Sequence, residues 1–310
     1  MPSDFVADLT HNALLAVSGD DALAFLQGQF TNDVQALEPG AAQWNGWCSA
    51  KGRLLATFLL ARRSGDYLVM LPAEIAAPVA KRLSMFVLRS KVKIVDVTEL
   101  IARIGIAGDN AASLVWAHWG ETPAPMHMVE KDGATCIALD AQRFVALVPA
   151  AAAPAFRDLF SAPWQRSGTD AWEWRSIQSG MPTIVAATQE AFVPQMANFE
   201  LVGGVSFKKG CYPGQEIVAR TQYRGTLKKR MALAHLPGAE RPQPGQSVYS
   251  SAFGDQAAGT IVNAAPAPGG GFDALVVAQV ESLAQGDLRW NSPEGPPLEI
   301  RSHPPLANAS

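Results

Sequence analysis

Lys208-Lys209-Gly210-Cys211-Tyr212-Pro213-Gly214-Gln215-Glu216 is the stretch on which the reading of this chain turns. It follows Phe192-Val193-Pro194-Gln195 and Gly203-Gly204-Val205-Ser206-Phe207, and it runs on into Ile217-Val218-Ala219-Arg220. A cysteine stands between two lysines and a Pro-Gly turn, just before a segment that can start a helix. Nearby cations and the positive end of a helix dipole both favour thiolate over thiol. Gly210 and Gly214 supply backbone freedom beside it, and Tyr212 and Gln215 shape the turn. By residue type alone the same stretch reads as a tight turn around a buried cysteine, because a free Cys is usually a small hydrophobe.

The rest of the chain sets bounds. It has 310 residues, 48% hydrophobic and 17% charged, which is enough for a large core and two or three domains. The net charge of -3 speaks against a global nucleic-acid or membrane surface. No apolar run reaches the ~18 residues of a spanning helix. Met1-Pro2-Ser3-Asp4-Phe5 lacks the basic and apolar regions of a secretory signal. Cys48, Cys136 and Cys211 are odd in number and far apart, so they form neither a disulfide framework nor a zinc site. A reducing, cytoplasmic setting is expected. The five histidines are scattered, which argues against a histidine-built metal site.

Apolar spacing gives the elements. Ala22, Phe25 and Leu26 predict a short helix after Gly19-Asp20-Asp21, ended by Gly28. Leu54 to Leu60 and Tyr67 to Leu71 read as a hairpin about Arg62-Arg63-Ser64-Gly65-Asp66. Ile75, Val79, Leu83 and Val87 predict a helix in which Pro78 is tolerable only near the first turn. Strands are expected over Val92 to Val97 and Ile101 to Ile106, a helix over Ala111 to Trp119, and a hairpin of Cys136 to Leu139 with Phe144 to Val148. A helix ending near Phe160 and another over Asp170 to Ser179, capped by Gly180, follow. After about Thr226 the pattern becomes short strands between Gly- and Pro-rich turns: Met231 to Leu236, Ser247 to Tyr249, Gly259 to Val262, Ala274 to Val280 and Leu298 to Arg301. That is the pattern of a small β-barrel.

The run from Phe192 to Arg220 closely resembles the signature of the YgfZ-type folate-binding proteins, within the superfamily of the glycine-cleavage T-protein, an aminomethyltransferase. Three further blocks agree in order: Leu26-Gln27-Gly28-Gln29-Phe30-Thr31-Asn32-Asp33-Val34, Lys51-Gly52-Arg53, and Trp174-Arg175-Ser176-Ile177-Gln178-Ser179-Gly180-Met181-Pro182. The resemblance implies an α+β fold: a T-protein-like folate-binding body of two interleaved α+β subdomains over 1–225, divisible near 98. A C-terminal small β-barrel over 226–302 and a loose tail over 303–310 complete it.

The resemblance also implies a site. Tetrahydrofolate or a derivative is the expected ligand, and Cys211 the functional thiol. Gln27, Asn32, Asp33, Lys51, Gln178, Gln195, Lys208, Lys209, Gln215, Glu216, Arg220 and Arg224 are the expected folate-binding positions. Read as residues alone, Asn32 and Asp33 suit helix capping, and Lys51 and Arg53 suit equally the lining of a cleft or the closing of a strand turn. Seven cations lie between Lys208 and Arg230, opposed only by Glu216. They suit a solvated face or a polyanion such as a polyglutamate tail or nucleic acid. T-proteins read the pterin edge with a glutamate at the position matched by Gln178. An amide offers one acceptor, so Gln178→Glu is expected to restore a bidentate contact. The aspartate that T-proteins place after a strand like Tyr67 to Leu71 is missing from Pro72-Ala73-Glu74-Ile75-Ala76-Ala77-Pro78. Loss of such a base removes ~10²–10⁴-fold of proton-transfer assistance. The resemblance therefore points to an accessory protein for iron–sulfur enzymes, its partners being folate and iron–sulfur proteins or their assembly machinery. A one-carbon transferase, or a tRNA-modification-linked or RNA-binding module, are the other readings.

Overall fold

The computed structural model describes residues 3–160, 164–224 and 227–302. The first elements are β1 (Phe5–Asp8), β2 (Asn12–Ser18), α1 (Ala22–Gln29), β3 (Ala41–Cys48), β4 (Leu54–Arg62), β5 (Tyr67–Pro72) and α2 (Ala73–Ser84). Then come β6 (Lys93–Asp96), β7 (Ile101–Ala107), α3 (Ala111–Trp119), β8 (Met128–Lys131), β9 (Ala134–Ala138), β10 (Arg143–Pro149), α4 (Ala153–Asp158) and β11 (Gln165–Ser167). Helices α5 (Thr169–Gln178) and α6 (Gln215–Arg224) precede β12 (Lys229–Leu236), β13 (Ser247–Tyr249), β14 (Gly259–Pro266) and β15 (Phe272–Gln279). The last are α7 (Val280–Gln285), β16 (Arg289–Trp290) and β17 (Glu299–Ser302).

The chain makes two compact units, one of residues 1–45, 58–172 and 208–210, the other of residues 46–57, 173–207 and 211–310. The first contains the sheet β11-β1-β7-β10-β9-β8. Along β10, Phe144, Ala146 and Val148 face one way, with Val115 and Trp119 of α3 and Phe156 of α4. Val145 and Leu147 face the other way, with Leu14, Leu59, Leu68 and Trp172. Alternation with both faces buried is why β10 reads as an unbroken apolar run. Gly105 stands opposite Val145 in β7. A Cβ there would lie 2.5 Å from the Trp172 ring, so the strand's centre must be glycine. Pairing of β2 with β5 sets Leu14 opposite Met70 in the sheet β3-β4-β5-β2-β6, with β6 at its edge.

The second unit ends in the antiparallel, curled sheet β16-β13-β14-β15-β12-β17. Its core gathers Ala232, Ala234, Val248, Ile261, Ala274, Val276, Leu283 and Trp290. Register shifts at Ile261/Asn263 and Leu233/Ala234 bend the two long strands.

The α+β class and the C-terminal curled sheet match the sequence expectation. Four local readings change. Val87, expected in the helix with Ile75, Val79 and Leu83, lies beyond α2 in the turn that follows Ser84. Helix α1 runs through Gly28 to Gln29, because its own buried stripe of Ala22, Phe25 and Leu26 carries it past a glycine that meets nothing within 4 Å. Pro78 sits inside α2, on its exposed face, where Ile75, Ala76, Val79 and Leu83 are buried and a lost backbone donor costs least. Val280, expected to end a strand, starts α7. The expected tail over 303–310 lies outside the described residues, as do Gly225 and Thr226 at the expected domain boundary.

Candidate functional site

In the second unit three sequence blocks meet around the turn that carries Cys211. Residues 49–53 close on themselves: Ser49 N–H donates to the Arg53 carbonyl and Gly52 N–H to that of Ser49, both at 2.8 Å. The Arg53 guanidinium donates to the carbonyls of Glu190 (3.2 Å) and Ala191 (2.7 Å). Leu54 N–H donates to the Phe192 carbonyl at 2.8 Å, which binds the second block to the first. Gln195 is fully buried; its Nε2 donates to the Val218 carbonyl at 2.7 Å, joining the second block to α6.

Two glycines set the closest approach. Gly52 and Gly214 have φ of 69° and 80°. A Cβ on Gly214 would lie 2.4 Å from the Ser49 carbonyl oxygen and 2.6 Å from Gly52 Cα. Backbone meets backbone here, and only glycine permits it. Gly210, by contrast, has no positive φ and open space where a Cβ would be, so its expected special freedom is not used.

Helix α6 starts directly after this contact. Gln215 N–H donates to the Tyr212 carbonyl, and the N–H groups of Ile217 and Val218 to that of Gly214. Cys211 therefore stands just ahead of a helix N-terminus, on a turn fixed at both sides, and it is exposed. Cys48 and Cys136 are buried. Burial pushes the Cys48 thiol up to about 12 and raises that of Cys136 as well. Tyr212 is buried as well, and burial with Cys48 nearby raises its hydroxyl above the phenol range.

The run of cations does not form one face. Lys208, Arg220 and Lys228 are exposed. Arg230 is ion-paired with buried Glu200, and its guanidinium also donates to the Gln195 carbonyl at 3.0 Å. Lys229 is half-buried in β12 opposite Gln279. The Arg224 side chain lies outside what is described. Lys51 and Glu216 are exposed and Gln215 is half-buried.

In the first unit, the block from Leu26 to Val34 is folded by its own side chains. Gln27 Nε2 donates to Asp33 Oδ1 at 3.0 Å, and its Oε1 accepts from Val34 N–H at 2.8 Å. Asn32 Nδ2 donates to the Trp44 carbonyl at 2.9 Å, and its own N–H donates to buried Asn45 Oδ1 at 3.1 Å. Lys209 completes the block. It is 7% exposed, and its ammonium donates to the carbonyls of Gln27 (2.5 Å) and Phe30. Burial lowers its pKa to about 8, against the opposing pull of Asp33.

Gln178 belongs to a hub that the sequence reading missed. Asp273, in β15, is 2% exposed. Its Oδ2 accepts from Trp174 Nε1 and from Gln178 Nε2, each at 2.8 Å. Its Oδ1 accepts from His235 Nδ1 at 2.8 Å, with Arg301 3.8 Å away. Trp174 and Gln178 are four residues apart on α5, so both reach one carboxylate. No local signal joins residues 95 positions apart. The hub reverses the expectation for Gln178→Glu: a carboxylate would face Asp273 where an amide now donates to it.

The GCVT N-terminal domain family model matches residues 5–126. The tRNA-modifying protein YgfZ of Serratia proteamaculans is 29% identical over 297 residues, covering 94% of this chain and 89% of that protein. The protein of the same name from Colwellia psychrerythraea is 31% identical over 250 residues, covering 80% and 75%. The crystal structure of glycine cleavage system aminomethyltransferase T from Bartonella henselae superposes with a TM-score of 0.80 at 15% identity, over 97% of this chain and 86% of that one, and so shares the fold.

Proposed function

This chain belongs to the YgfZ family, and on that premise we propose that it is a cytoplasmic, tetrahydrofolate-binding accessory protein of tRNA modification and of iron–sulfur enzyme maintenance, with Cys211 as its working thiol. The observation that carries the reading is the contrast among the thiols. Cys211 is exposed on a turn built by backbone contact at Gly52 and Gly214, whereas Cys48 and Cys136 are buried. A merely structural cysteine would be expected among the buried ones.

The folate site proposed here fits the ligand with one contact fewer than a glutamate would give. The Gln178 amide is held by Asp273, so its Oε1 is the acceptor it can offer to a pterin edge. Arg220, in the same unit as Gln178, offers an exposed cation for a glutamate tail. Gln27, Asn32, Asp33 and Lys209 act in this reading by shaping backbone, since they hydrogen-bond the chain itself; Gln195 does so through Nε2 alone, and its buried Oε1 has no partner among the described residues. Bound tetrahydrofolate supplies a carrier for one-carbon units. Aminomethyl transfer is not assigned, because the first turn of α2 offers the exposed Glu74 and no aspartate.

Calorimetric titration of the folate-free protein with tetrahydrofolate tests the proposal. Saturable one-to-one binding, weakened by Arg220→Ala, is the expected result. No binding heat at any accessible concentration would remove folate from the account.

A further inference from the structure

Between Ile75 and Val95 the chain holds Lys81, Arg82, Arg89, Lys91 and Lys93 and no acidic residue, in a protein whose net charge is -3. This segment is the last part of α2, the turn that follows it and the start of edge strand β6. The cations are all exposed. Lys91 is paired with Asp20 at 3.1 Å, on the solvent side of both residues. Among the cations stand Met85, Phe86 and Leu88, exposed by 62%, 44% and 88%.

The turn is ordered. Phe86 N–H donates to the Leu83 carbonyl, Val87 to Ser84 and Ser90 to Val87, at 2.8 to 3.2 Å. Its far end is pinned where Lys91 N–H donates to Asp21 Oδ2 at 2.7 Å. Gly19 has φ of 117° and lies so close that a Cβ would fall 2.0 Å from the Lys91 carbonyl oxygen. Leu88, a branched aliphatic residue, is held at φ of 46°, in the left-handed region that such residues avoid. Backbone strain of this kind concentrates at functional sites. Apolar groups presented on a fixed turn and ringed by cations suit a partner that is itself anionic with flat apolar faces.

We propose that the Lys81–Lys93 turn is a docking surface for RNA, its cations lying on phosphates and Phe86 and Met85 against unstacked bases. Arg89 can fork onto phosphate oxygens, and exposed Phe86 is an aromatic side chain of the kind that stacks on bases. The inference rests on the tRNA side of the function proposed above, which favours RNA over an acidic protein or an anionic membrane. It locates the contact away from Cys211 in sequence, on a segment with no part in the folate proposal.

The test uses the full chain and fluorescein-labelled unfractionated tRNA, followed by anisotropy across a salt series. Arg89→Glu with Lys93→Glu should weaken binding about tenfold and lower the log–log salt slope by roughly 1.5, because two phosphates are left without a cation. Phe86→Ala should weaken binding severalfold and leave the slope unchanged. An equal reversal at Arg166 and Arg289 should leave affinity within about twofold. Equal affinity of the Arg89/Lys93 variant and the parent would overturn the docking surface while leaving the folate proposal intact, because tetrahydrofolate titration reads that separately. Absence of tRNA binding by the parent, with capture of anionic phosphatidylserine vesicles instead, would overturn it in favour of a membrane contact. Unchanged urea midpoints for the variants keep a folding defect from imitating the expected loss.

Discussion

Replacing Gly214 with alanine tests the geometry on which the Cys211 turn depends. The native φ of 80° is unfavourable for any residue with a Cβ, at about 1 kcal/mol. The new methyl would lie 2.4 Å from the Ser49 carbonyl oxygen and 2.6 Å from both Gly52 Cα and Gly52 N. Those atoms are backbone, so they cannot swing aside as a side-chain tip would, and overpacking of this kind costs about 1–3 kcal/mol. A more restricted unfolded chain returns about 0.4–1 kcal/mol. The net expectation is a destabilisation of about 1–3.5 kcal/mol. Gly210→Ala is the matched control: no positive φ, nothing within 4 Å, and an expected change near zero or slightly stabilising. Urea unfolding of the two variants beside the parent gives the comparison. Alkylation of Cys211 by iodoacetamide shows whether the turn has moved. If Gly214→Ala proves as stable as Gly210→Ala, and alkylates at the parent's rate, the backbone contact does not hold this turn and the reasoning fails.

Further outcomes are expected. Across pH, Cys211 should be the first of the three thiols to be alkylated, read by peptide mass spectrometry, because Cys48 and Cys136 are buried and their thiols are raised. Asp273→Ala should cost about 3–5 kcal/mol in urea unfolding, since it strands the donors Trp174, Gln178 and His235 around a vanished carboxylate; Gln178→Glu should destabilise too, rather than tighten folate binding. Lys209 has a folded pKa of about 8 against 10.5 in the unfolded chain, so between those values the unfolded chain holds more protons and stability must rise with pH. The penalty of burying its charge, about 3 kcal/mol, is fully present below pH 8; Lys209→Gln should flatten that rise, as read by denaturant midpoints from pH 7 to 10.

The sequence carried the periodic elements well. Helix α3 and the β9–β10 hairpin follow directly from apolar spacing, because both are amphipathic or buried over their whole length. The blocks that carry the family resemblance were legible too, since motif order survives without coordinates. What stayed hidden was long-range. The hydrogen bonds from Gln178 to Asp273, and from Lys209 to the Gln27 and Phe30 carbonyls, leave no local mark. The cation run from Lys208 to Arg230 looked like one surface only because sequence adjacency hides burial: Lys209 turns into a polar loop and Arg230 into a buried ion pair. Strands β1, β2 and β3 escaped notice because they are short or mixed in composition, and their pairing is decided by distant partners.

Complementation by the Cys211→Ala variant tests the central claim most directly. In bacterial cells lacking the native protein, tRNA modification and iron–sulfur enzyme activity would be measured with the parent chain and with the variant at equal abundance. The account predicts that the parent restores both and the variant neither, while the purified variant keeps its tetrahydrofolate affinity and urea midpoint. Full restoration by Cys211→Ala would contradict it and reduce the Cys211 turn to a structural feature.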